Sequence, residues 1–168
     1  SRRTIARSDP DPDVRATALR YGLQISKLDR PDAVRVLLTR ALADGSAVVC
    51  EEGIRLAEGC WPYALRGELF RLLEHESRSI REAVVDRLDE LRPSDDECCA
   101  IVRRCGVEPD EVVRRRLMVL ATESDLAIET AVTMDATTDW RIEFLDLILR
   151  MGKRLRWPQL EGIAAKQV

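Results

Sequence analysis

The sequence predicts an all-helical protein, a stack of about five antiparallel helix pairs. Three observations predict it. Apolar residues follow a helical period nearly everywhere, and no segment sustains a period of two. Pro, Gly, Ser and Asp cut the chain into ten segments of ~11–16 residues. An apolar–polar pair recurs near the start of every second segment. Links of two to five residues make consecutive helices antiparallel neighbours.

The first helix follows Asp9-Pro10-Asp11-Pro12-Asp13 and runs to about Leu28. Asp11 or Asp13 can cap it, and Pro12 suits a first turn, where its missing N–H costs nothing. The second helix starts at Pro31 and ends near Asp44-Gly45; the third opens at Ser46 and closes at Gly59. The fourth spans Pro62 to about His75, and the fifth begins after Ser77 and stops before Pro93. The sixth starts behind Ser94, where Asp95, Asp96 and Glu97 favour the positive end of the helix dipole, and it ends at Gly106. The seventh runs from near Pro109 to Thr122, and the eighth from behind Ser124 to Asp135. The ninth runs from behind Thr138 to Gly152, and the tenth starts near Pro158.

The recurring pairs are Val14-Arg15, Val49-Cys50, Ile80-Arg81, Val113-Arg114 and Trp140-Arg141, at steps of 35, 31, 33 and 27 residues. Four places after each apolar member stand Ala18, Gly53, Val84, Leu117 and Phe144. A two-helix unit of this size cannot bury its apolar stripe alone, so such units stack and share one elongated core.

The stretch Asp9-Pro10-Asp11-Pro12-Asp13-Val14-Arg15-Ala16-Thr17-Ala18-Leu19 resembles the first helix of a HEAT repeat, with its Asp-Pro-x-Val-Arg-x-x-Ala signature. Glu76-Ser77-Arg78-Ser79-Ile80-Arg81-Glu82-Ala83-Val84 is a looser copy; the second copy has Cys50 where arginine belongs. The resemblance covers about 10–166. It implies a right-handed α-solenoid of the armadillo type, first helices convex and second helices concave. It also implies that Arg15, Arg81, Arg114 and Arg141 form a structural ladder, pairing with Asp13-type acids of neighbouring units. The chain reads as a single repeat domain over 1–168, a segment of a longer protein in which residues 1–7 are the tail of an earlier helix.

Composition narrows the function. Charged residues make up 34% of the 168 residues and the net charge is −3, which excludes a globally basic nucleic-acid binder. No stretch approaches the ~18 apolar residues of a membrane span, and the N-terminus lacks the apolar core of a signal peptide. A cytoplasmic protein that does not engage membranes is expected. Cys50, Cys60, Cys98, Cys99 and Cys105 are odd in number and hold no C-x-x-C, so they read as reduced core residues rather than zinc ligands. His75 is the only histidine, and beside Glu74 and Glu76 it reads as a solvated cation at a helix end. There is no glycine-rich phosphate loop. Acid clusters such as Glu51-Glu52 and Asp95-Asp96-Glu97 read as caps and solvated faces. No catalytic residue, metal or cofactor is expected.

The binding signal lies on the second helices. Arg40, Arg71 and Arg103 recur at steps of 31 and 32; Arg35 and Arg66 form a parallel row, with Arg104 adjacent to Arg103. In register on a concave face, these planar forks would take carboxylate or phosphate. The plainer reading has them paired with Asp32, Glu68 and Glu74. Trp61, Trp140 and Trp157 sit near helix starts, as core residues or as an exposed stacking surface beside Lys153, Arg154 and Arg156. The expected function is therefore a non-catalytic scaffold that holds a protein partner, or other domains of its parent chain, on the concave face. An anionic ligand could share that face. The alternative is a nucleic-acid binder similar to HEAT-like DNA glycosylases, with Trp140 and Asp139 or Asp146 in its site. The negative charge argues against it.

Overall fold

The computed structural model describes residues 9–26, 30–134 and 139–152. Among them every regular element is helical, with nine α-helices, one 3-10 turn and no strand. They are α1 (Pro12–Ser26), α2 (Pro31–Leu42), α3 (Ala47–Leu56), α4 (Arg66–Leu72), α5 (Arg78–Leu91), α6 (Asp95–Cys105), α7 (Glu111–Ala121), α8 (Asp125–Thr133) and α9 (Asp139–Arg150). The tenth expected helix, from Pro158, lies outside the described residues. So do the last residues expected in the first helix, Lys27 and Leu28.

The helix starts follow their capping chemistry. Asp11 Oδ1 accepts the Asp13 amide at 2.9 Å, and Pro12 opens α1. Ser94 and Glu97 close a reciprocal capping box at α6, each side chain taking the other's amide. Asp110 Oδ1 accepts the amides of Val112 and Val113. Two helices begin or end differently from expectation. The fourth opens as a 3-10 turn over Tyr63–Leu65 before α4 proper. The third closes at Leu56, ahead of Gly59, whose φ of +70° breaks the chain direction at no steric cost. At the end of α5, Arg92 takes φ 51°. Pro93 behind it disfavours the right-handed helical region, so the helix stops there.

The chain divides into two compact units, 1–91 and 92–168. In the first, α1 packs on α3 and α3 on α5, while α2 lies against both α1 and α3, and α4 against α5. Leu23, Leu38, Ile54, Leu69, Ile80 and Leu88 are fully buried between them. Burying such a side chain contributes ~1.5–3 kcal/mol, so these stripes hold the helices where propensity alone would not. Gly53 marks the closest approach: a Cβ there would stand 2.8 Å from Ala41 Cβ. In the second unit, α6 packs on α7 and α8. Its buried residues include Ile101, Val102, Leu117, Met118, Ile128, Phe144 and Ile148.

The first residue of the recurring pair is buried in four copies, as Val49, Ile80, Val113 and Trp140; Val14 is 39% exposed. Among the described residues, no helix is long and apolar enough to cross a membrane.

Candidate functional site

Among the described residues, the turns preceding four of the first helices are built alike, around an acceptor side chain six residues before the recurring arginine position. Asp9 Oδ1 accepts the Asp11 amide at 3.0 Å, and Asp44 Oδ1 the Ser46 amide at 2.9 Å. His75 Nδ1 accepts the Ser77 amide at 3.0 Å, and Glu108 Oε1 the Asp110 amide at 3.1 Å. The arginine then clasps the same turn from the helix side. Arg15 Nη1 donates to the carbonyls of Asp9 (2.7 Å) and Pro10 (3.1 Å). Arg81 Nη1 donates to those of His75 (2.8 Å) and Glu76 (2.9 Å), and Arg114 Nη1 to that of Glu108 (3.2 Å). Arg141 Nη2 reaches Val132 O at 3.0 Å. These guanidinium groups satisfy carbonyls that the turn would otherwise leave without a helical partner.

The ladder expected from the sequence is corrected in its partners. Arg15 pairs with Asp44 rather than with an Asp13-type acid, its Nε 2.9 Å from Oδ2 and its Nη2 2.8 Å from Oδ1. Asp44 is the turn acceptor of the following copy, so the bridge links one repeat to the next. The hydrogen bond from Arg15 holds the Asp44 carboxyl below its ordinary range, and Asp44 in return raises Arg15. Arg20 and Glu52 add a second link, from α1 to α3, at 2.6 Å. His75 contributes its Nδ1 as the turn acceptor of the third copy.

Cys50, at the arginine position of the second copy, is buried at 3% exposure. Burial pushes its thiol up to about 11. Desolvation likewise pushes Cys98 up to about 11 and Cys105 up to about 12. Cys99 is also buried, Cys60 is half-buried, and all five thiols are free. Among the described residues no cluster of His, Cys, Asp or Glu could hold a metal ion.

The second-helix arginines divide by environment. Arg66 donates to Leu91 O at 3.3 Å, and Arg71 pairs with Glu68 at 2.7 Å. Arg104 pairs at 2.7 Å with Glu108, whose carboxylate is fully buried. Arg35 and Arg40 on α2 and Arg103 on α6 are exposed, with no ion pair among the described residues. The expected pairing thus holds for Arg71 with Glu68; among the described residues Asp32 and Glu74 take none of these arginines. Arg35, Arg40, Arg66 and Arg71 belong to the first unit, and Arg103 and Arg104 to the second.

Arg40 borders a cavity of about 200 Å³, whose other walls are Arg15, Leu19, Leu37, Ala41, Asp44 and Val49. Trp61 and Trp140 are buried rather than offered for stacking. Trp140 tilts against Phe144 with ring centroids 6.3 Å apart, and a Cβ at Gly106 would come within 3.4 Å of its Nε1. Trp157, Lys153, Arg154 and Arg156 lie outside the described residues.

The turn acceptors escape a reading of residue identity. Asp, Asp, His and Glu share only an acceptor atom two residues before a capping position, and that spacing is the signal that finds them. No family model, curated protein or solved structure matches the chain.

Proposed function

We propose that the chain is a HEAT-type repeat module, a right-handed solenoid of about five antiparallel helix pairs, that binds a protein partner on the face of its second helices. In this reading it is cytoplasmic and does no chemistry of its own. The repeated turn supports the repeat architecture, because four copies reuse one bonding scheme with different side chains. Packing of α1 on α3 and α3 on α5 supports it too.

The observation that carries the binding role is a contrast among arginines. Those at first-helix starts are tied to backbone carbonyls. Arg35, Arg40 and Arg103 on second helices stay exposed without an ion pair among the described residues. Unspent guanidinium groups on a solvated helix face suit carboxylates of a partner.

The test is capture of partners by the intact parent protein, comparing wild type with the combined variant R40A/R71A/R103E. All three side chains are exposed, so the fold should survive, and an unchanged melting curve checks that. Loss of a wild-type partner is expected. Retention of every partner would reject the binding face. A duplex nucleic acid captured instead, with affinity falling steeply in salt, would favour the nucleic-acid reading.

A further inference from the structure

The cavity beside Arg40 combines an apolar floor with one uncompensated charge. Leu19 from α1, Leu37 and Ala41 from α2 and Val49 from α3 are all buried and form its lining. Three charged groups stand with them: Arg15, Asp44 and Arg40. Two of these cancel. Asp44 receives two bonds from Arg15, whose remaining nitrogen is spent on the Asp9 and Pro10 carbonyls. Arg40 is left as the net positive group, exposed and without an ion pair among the described residues.

A planar guanidinium matches a carboxylate in two parallel hydrogen bonds. The volume, about 200 Å³, falls below the ~300 Å³ at which pockets begin to hold drug-sized ligands. It suits one branched aliphatic group. The fitting chemistry is thus a carboxylate next to a single aliphatic side chain, which every polypeptide ending in Leu, Ile or Val carries.

We infer that this cavity receives the C-terminal residue of a partner polypeptide, its carboxylate on Arg40 and its aliphatic side chain against Leu19, Leu37, Ala41 and Val49. The inference rests on the protein-binding reading above, and it narrows what the partner must present. Asp44 does not repel the ligand, because Arg15 neutralises it at 2.8 Å.

The test is a titration of the 168-residue chain, following the methyl signals of Leu37 and Val49 by NMR. The probes are a short neutral peptide ending in leucine carboxylate, the same peptide ending in leucine amide, and free 4-methylpentanoate. The acid peptide is expected to shift both methyls saturably. The amide should bind about tenfold more weakly or worse, because one charge-assisted contact is lost. R40A should weaken the acid peptide by the same factor. R55A, which removes an exposed arginine of α3 outside the cavity, should leave it unchanged. Equal binding of acid and amide, indifference to R40A, or no saturable shift with the acid peptide would overturn the inference. Free 4-methylpentanoate binding as tightly as the peptide would overturn the polypeptide assignment. The capture experiment separates the two proposals. A partner lost from the combined variant while the peptides fail to bind refutes only the cavity; peptide binding with partners retained refutes only the wider face.

Discussion

The turns ending at Arg81 and at Cys50 begin alike and finish differently. In both, a side chain six residues upstream accepts the amide two residues on, from His75 in one and Asp44 in the other. Arg81 then turns back and fastens its own loop through two carbonyls, buried at 5% exposure. Cys50 has no such reach and drops into the core. Its turn is fastened from outside by Arg15, one repeat earlier, on the Asp44 carboxylate. The difference teaches that a repeat can exchange a local clasp for a bridge to its neighbour while keeping the same backbone turn. The cavity lies at this turn, where Val49, Asp44 and Arg15 border it.

The largest effect should come from the local clasp. Arg81→Ala removes a buried side chain and takes the donor from two part-buried carbonyls, and a loss of about 2–3 kcal/mol is expected from urea unfolding. A loss under about 0.5 kcal/mol would show that solvent replaces the clasp.

A smaller loss, about 1 kcal/mol, is expected for Cys50→Ala, which removes one buried sulfur. The same variant sharpens the comparison at alkaline pH. Burial raises the Cys50 thiol from 9.0 to about 11, so the folded state holds its proton more tightly than the unfolded one. That contribution is fully present below about pH 9 and is lost as pH rises through 9 towards 11. Cys50→Ala should flatten the alkaline decline; an identical decline would refute the buried thiol. Native alkylation at pH 8 should label half-buried Cys60 well before Cys50, read by mass spectrometry.

The smallest change belongs to the bridge. Asp44 is held below its ordinary 3.8 by Arg15, so its contribution is present above that value and is lost as pH falls through the lowered one. Asp44→Asn should lower the unfolding midpoint at pH 6 by less than Arg81→Ala does, and should lessen the acid sensitivity below the ordinary carboxylate range. A midpoint equal to that of wild type at pH 6 would mean that solvent screens the bridge entirely.

Much of the helix pattern was legible in the sequence, because caps and breakers act locally. Pro12 and Pro31 open helices and Ser94 and Ser124 cap them, as their chemistry dictates, while Ser46 holds the N-cap position of α3 without a side-chain cap bond. The 3-10 opening of α4 was not legible, since Pro62 signals a start without fixing which helix follows it. The arginine rows could be counted from spacing, but spacing does not say which guanidinium is already engaged. Arg66 and Arg104 turn inward to Leu91 O and Glu108, partners 25 and 4 residues away, whereas Arg40 does not. The cavity was invisible for the same reason: its walls come from α1, α2 and α3, which only packing brings together.

Everything rests on two populations of arginine, one locked into repeating turns and one left for a partner. Their guanidinium signals in a solution NMR spectrum test this most directly, since a group held on two acceptors cannot rotate freely. Arg15, Arg81 and Arg114 should give separate, slowly exchanging Nη signals, while Arg35, Arg40 and Arg103 should give averaged ones. Averaged signals from Arg15 and Arg81, or locked ones from Arg40 in the chain alone, would contradict the account.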